Sequence, residues 1–165
     1  MNRVADRRLD AAFTAEPPAA RDLQHIAVFP ERLILISGPG HLPIRRPRDV
    51  EGSTLIAFPA GCAYRRVLQG WLGRDSLSTL RVLELNSYHA IVACVASGTG
   101  IALVPESVLN TMPGTQVLRH PLPKAQANIT TPLVWRHGEV SPPVLALRTV
   151  IASWPKQKPA GDLQP

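Results

Sequence analysis

Two loop-to-helix junctions hold the residues whose types and spacing best suit chemistry: Phe58-Pro59-Ala60-Gly61-Cys62-Ala63-Tyr64 and Leu85-Asn86-Ser87-Tyr88. At such a junction the first backbone N–H groups of a helix lack internal partners and carry partial positive charge. A crevice between two of them suits a carboxylate, phosphate or sulfate. Gly61 lets backbone approach a ligand closely, while Asn86 and Ser87 bring amide and hydroxyl donors. The same residue types also cap helices with no ligand present, so both readings stand at this point.

Cys62, at a helix start, is a candidate nucleophile, redox thiol or ligand-lining group, and equally a small packing residue. A nucleophile needs a base, and only His89 lies near it in sequence; early in an apolar helix, that histidine is expected to be buried and hydrogen-bonded. Tyr64 opens an apolar helical face and is expected to pack, with its hydroxyl toward the cleft. Arg65 and Arg66 are expected to be exposed; Arg65 clamps an anion only if it turns inward. Gly98-Thr99-Gly100 follows a helix and lacks the third glycine of a dinucleotide fingerprint, so it reads as a helix stop and turn. The five histidines show no ligand spacing, no C-x-x-C occurs, and no acidic pair stands out. No metal, cofactor or catalysis is expected. His41, after Gly38-Pro39-Gly40, reads as a turn residue.

Alternating strand-like and helical runs must position these junctions, which predicts an α/β protein with mainly parallel pairing. Strands are expected at 9–15, over 26–36 with a break near Pro30, and at 55–58, 80–85, 101–104, 117–118 and 129–135. Helices are expected at 63–72, where Tyr64, Val67, Leu68, Trp71 and Leu72 share one face, over the apolar run that starts near His89, and at 144–154. That middle run carries almost no polar side chain and predicts a helix buried all round. Pro105 and Glu106 suit the opening of a further helical turn.

The 165 residues suffice for one good core or two small lobes, and an apolar fraction of 45% places the chain among globular proteins. No apolar run spans a bilayer and no secretory signal opens the chain, so a cytoplasmic protein with free Cys62 and Cys94 is expected. The net charge of +6 is scattered in small clusters rather than gathered in a stripe with aromatics, which argues against direct DNA contact while favouring an anionic small molecule.

The strand–helix–strand run from Leu85 to Leu109, with its Ile101-Ala102-Leu103-Val104-Pro105 strand, resembles the effector-binding domain of LysR-type transcriptional regulators. Three other pieces agree in the family's order: Leu9-Asp10-Ala11-Ala12-Phe13, Glu31-Arg32-Leu33-Ile34-Leu35-Ile36 with His41, and Gly61-Cys62-Ala63-Tyr64-Arg65-Arg66 with Trp71-Leu72. The resemblance implies a type-2 periplasmic-binding-protein-like fold of two lobes with a central cleft. Residues 32–116 would form the second lobe, and 1–31 with 117–154 an incomplete first lobe; 155–165 would be a disordered tail. It further implies a member lacking its front half, with DNA contact and homo-oligomerisation belonging to the full-length parent. The effector would be a small anionic metabolite in the interlobe cleft, touched by Thr14, Glu16, Gly61, Cys62, Ala63, Tyr64, Asn86, Ser87 and Tyr88. A solute-binding protein of the same fold, a small thiol enzyme and a nonfunctional remnant are the competing readings.

Overall fold

A computed structural model describes residues 2–73, 80–138 and 140–154. The elements run α1 (Asn2–Ala5), β1 (Ala11–Phe13), β2 (Leu23–Ser37), a 3-10 turn (Pro47–Val50), β3 (Thr54–Ala57), α2 (Ala63–Leu72), β4 (Arg81–Glu84), α3 (Tyr88–Ala96), β5 (Ile101–Pro105), α4 (Glu106–Asn110), β6 (Leu118–Pro121), α5 (Lys124–Ala127), β7 (Asn128–Arg136) and α6 (Pro142–Ser153). The chain divides into two compact units, Met1–Glu31 with Ile129–Pro165, and Arg32–Asn128. The sequence placed the later boundary at 116/117; instead β6 pairs with β2 inside the second unit, Ser37 opposite Leu118 and Ile34 opposite Pro121. The expected tail, 155–165, lies outside the described residues.

In the second unit the strand order is β6-β2-β5-β3-β4. β3 is parallel to β4 and to β5, whereas β2 is antiparallel to both β5 and β6. The sheet is therefore mixed rather than mainly parallel. The reason is β2, which enters from the first unit as one continuous strand and meets β5 head to tail. Pro30 does not break it: the residue stands just ahead of Leu33, where the ladder to β5 begins, so its missing N–H costs that ladder nothing.

Alternation along the strands divides the core between two faces. Ile34, Ile36, Ile56, Ala102 and Val104 pack with Ile91, Val92 and Val95 of α3. Burying those three helical side chains contributes roughly 5 kcal/mol by area. Leu33, Leu35, Leu55 and Leu103 point the other way, toward the face where α2 buries Leu68 and Leu72. The two crossovers, from β3 through α2 to β4 and from β4 through α3 to β5, run in opposite directions across the sheet. Right-handed connections then place α2 and α3 on opposite faces. α3 differs from the sequence expectation, for it is buried on one side only. Ala93 and His89 are exposed, on a face that no element covers among the described residues.

In the first unit β1 pairs antiparallel with β7, Ala11 opposite Trp135 and Phe13 opposite Leu133. Val4 of α1 packs with Leu23 and Val134 on one side, and Val144 of α6 with Leu133 and Trp135 on the other. Arg136 ties the entry together, its guanidinium donating to Val4 O and Leu9 O, both at 2.9 Å. Among the described residues β1 has a partner strand on one side only, and Phe13 (46%), Phe29 (42%) and Trp154 (58%) remain exposed in this unit. An open edge beside exposed aromatics is a template for pairing with another chain. The isolated chain is expected to self-associate with rising concentration in light scattering; a monomer with one sharp cooperative melt would contradict this.

Candidate functional site

The two junctions come together within the second unit. β3 and β4 run parallel and in register, Ala57 opposite Glu84, so the segments that follow them leave from the same end of the sheet. Leu85 N–H donates to Ala57 O at 3.0 Å, and the Phe58 and Tyr88 rings meet edge to face with centroids 4.8 Å apart. Cys62 and Ser87 are the N-cap residues of α2 and α3, both in extended backbone, and neither uses its side chain to cap its own helix. The first-turn amides of both helices thus start from carboxyl ends of adjacent strands, the place where α/β sheets hold ligands. Gly61 has φ +96° with open space at its Cβ position, so the left-handed turn requires glycine rather than any close neighbour.

Arg65 is half-buried rather than exposed, its side chain 14% accessible. It turned inward to its own protein: the guanidinium donates to Phe58 O at 3.1 Å and contacts the Glu84 carboxylate. This links the end of β3, the end of β4 and the first turn of α2. Arg66 donates to Gly61 O at 2.9 Å and pins the turn. His89 lies on the exposed side of α3, which corrects the expectation of a buried ring and leaves it as an open surface group. Cys62 and Cys94 are partly buried free thiols. Thr14 and Glu16 belong to the first unit, where the Thr14 hydroxyl donates to Glu16 O at 2.7 Å. Among the described residues, no group of three or more His, Cys, Asp or Glu could hold a metal ion, and no helix is long and apolar enough to cross a membrane.

A cavity of about 510 Å³ lies at the opposite end of the same sheet, bounded by the turns 38–41, 52–54 and 96–100. Sequence reasoning missed it, along with the histidine pair beside it. His120 is 6% exposed and satisfied at both ring nitrogens. Ile44 N–H donates to Nδ1 at 3.1 Å, so the proton sits on Nε2, which donates to the Ser37 hydroxyl at 2.8 Å. His41 meets His120 edge to face at 6.2 Å. Burial, and secondarily the neighbouring His41, holds the His120 imidazole below its ordinary pKa. The unfolded chain therefore takes up this proton more readily than the folded one. The stability contributed by the neutral ring is complete above about pH 6.5 and is lost as pH falls through the lower folded value. The urea midpoint is expected to drop between neutral pH and pH 5, with a shallower slope in His120→Gln; an equal slope in both proteins would contradict this.

A family profile, LysR substrate binding domain, matches residues 1–155. The chain belongs to the LysR substrate-binding-domain family. Among curated relatives, the HTH-type transcriptional regulator CzcR of Bacillus subtilis (strain 168) is 32% identical over 140 residues, 84% of this chain and 47% of the relative. The HTH-type transcriptional regulator GltR of the same organism is 32% identical over 106 residues, 64% of this chain and 36% of the relative. The LysR domain thus spans about half the length, or less, of the curated relatives it matches. Among solved structures, the Synechocystis PCC6803 CcmR regulatory domain in complex with 2-PG superposes with a TM-score of 0.79 at 19% identity, covering 96% of this chain and 79% of that one. A sulfate-bound regulatory domain of an OxyR2 mutant from Vibrio vulnificus gives 0.72 at 16% identity, covering 92% and 74%. At these identities the structures establish the fold, and it is the α/β class of LysR regulatory domains that the sequence predicted.

Proposed function

We propose that this LysR domain is the effector-sensing part of a transcriptional regulator and binds a small anionic metabolite at the tips of α2 and α3. The supporting observation is the shared end of β3 and β4, from which two helices start with N-cap side chains unused by their own helices. Backbone amides at 61, 63, 64 and 86–88 supply the donors, with the Ser87 hydroxyl, the Asn86 amide and the Tyr64 and Tyr88 side chains around them, while the Cys62 N–H donates to Pro59 O and holds the turn. The Cys62 side chain lines the site. Thr14 and Glu16 are proposed as contacts on the family pattern alone. The net charge of +6 raises the local concentration of anions, and sulfate binds the related OxyR2 domain.

Binding changes transcription by shifting populations of conformations in the whole regulator. In that regulator DNA contact falls to a separate domain, the assembly is a homo-oligomer, and the compartment is the cytoplasm. Calorimetric titration with sulfate, succinate and the neutral succinamide tests the reading. Heat is expected from the anions alone, weakening with added salt. Absence of heat from either anion would overturn it. Cys62→Ala leaves the turn and its neighbouring amides in place and is expected to retain binding; a hydrolytic or transfer activity lost in that variant would favour thiol catalysis instead.

A further inference from the structure

We propose that the cavity at the far end of the second unit's sheet is a second binding site, for an uncharged polyhydroxylated small molecule such as a sugar or polyol. Its volume, about 510 Å³, falls in the range of ligand pockets, yet its walls are unlike the usual apolar lining. Among the described residues of the wall nearly half are glycines, Ser53, Thr54, Ser97 and Thr99 bring hydroxyls, and His41 is the one titratable side chain. A wall mixing N–H donors, carbonyl acceptors and hydroxyls matches a ligand whose groups both donate and accept. It offers no ion pair to a charged one. The end of α3 also forms part of the wall, and the negative pole of a helix disfavours anions.

His41 supplies direction. Its Nδ1 lies 2.7 Å from Leu42 O, a carbonyl that only accepts, so the proton is on Nδ1. Nε2 is then an acceptor, and its contact to the Ser53 hydroxyl is long, 3.5 Å. A ligand hydroxyl bridging the two would donate to Nε2 and accept from the Ser53 hydroxyl, replacing one long contact with two short ones. The turns are also held in place before any ligand arrives. A Cβ on Gly38 would come within 2.9 Å of Gly98 Cα, and one on Gly100 within 2.1 Å of Thr54 O, so backbone packs on backbone around the opening. This rigidity lowers the ordering cost of binding.

Saturation-transfer NMR on the full chain with ribose, glucose and myo-inositol, and with succinate as the anionic comparator, tests the proposal. At least one neutral compound is expected to bind with Kd below about 1 mM. Thr99→Trp places an indole in the opening from an exposed position and is expected to weaken that binding about tenfold or more, with succinate binding unchanged. Ser53→Ala, which removes one hydroxyl, provides a second variant expected to weaken it several-fold. Absence of binding by all three neutral compounds, or binding indifferent to both substitutions, would overturn the proposal. So would succinate binding that Thr99→Trp abolishes.

Discussion

Gly100→Ala is expected to cost the second unit a large share of its stability. The glycine has an ordinary φ, so the effect is steric: its Cβ would stand 2.1 Å from Thr54 O and 3.1 Å from Thr54 Cβ. The obstruction is backbone, at the start of β3, beside the pairing of Leu55 with Ile101. No rotamer change relieves it. The two parallel strands must separate, and Leu55 and Ile101, 1% and 0% exposed, are uncovered with them. Overpacking of this severity costs on the order of 3 kcal/mol or more, against a total of roughly 5–15 kcal/mol for a domain. Urea denaturation measures it, with Gly40→Ala as the control, since nothing lies within 4 Å of that Cβ. A wild-type midpoint for Gly100→Ala would contradict the strand geometry.

Ser87→Glu is expected to separate stability from binding. Ser87 is exposed and caps α3 without using its hydroxyl on that helix. A carboxylate there faces the positive end of α3 and stabilises it by about 0.5 kcal/mol. The same carboxylate occupies the place proposed for the effector's charge and repels it. The melting temperature is expected to hold or rise while affinity for sulfate and succinate falls at least about tenfold, or ~1.4 kcal/mol. Unchanged anion affinity in a folded Ser87→Glu protein would place anion binding elsewhere.

The elements that carry these predictions were legible in the sequence where the local signals agreed. The apolar face of α2, its start after Gly61-Cys62 and the glycine after Leu72 fixed that helix to the residue, and the apolar run from His89 to Ala96 located α3 to within one residue of its start at Tyr88. Strand direction was not legible, because nothing in an apolar run such as Leu33-Ile34-Leu35-Ile36 encodes whether its neighbour is parallel. The placement of 118–121 failed for the same reason: a four-residue strand carries too little pattern to choose its sheet. Arg65 and His89 were misjudged in opposite senses. A charged side chain was drawn inward by Glu84 and the Phe58 carbonyl, and a histidine on an apolar helix fell on the side that no element covers among the described residues. The Ser37–His120–Ile44 chain was invisible because His120 lies 83 and 76 residues from its two partners and none of the three belongs to a motif.

The function proposed for this domain turns on where an anion meets the chain. Backbone ¹H–¹⁵N spectra during titration with succinate test this most directly. Saturable shifts are predicted at the amides of 61–65 and 86–89, with the turns 38–41 and 96–100 unmoved. Shifts confined to those turns, or none at either helix tip, would contradict it.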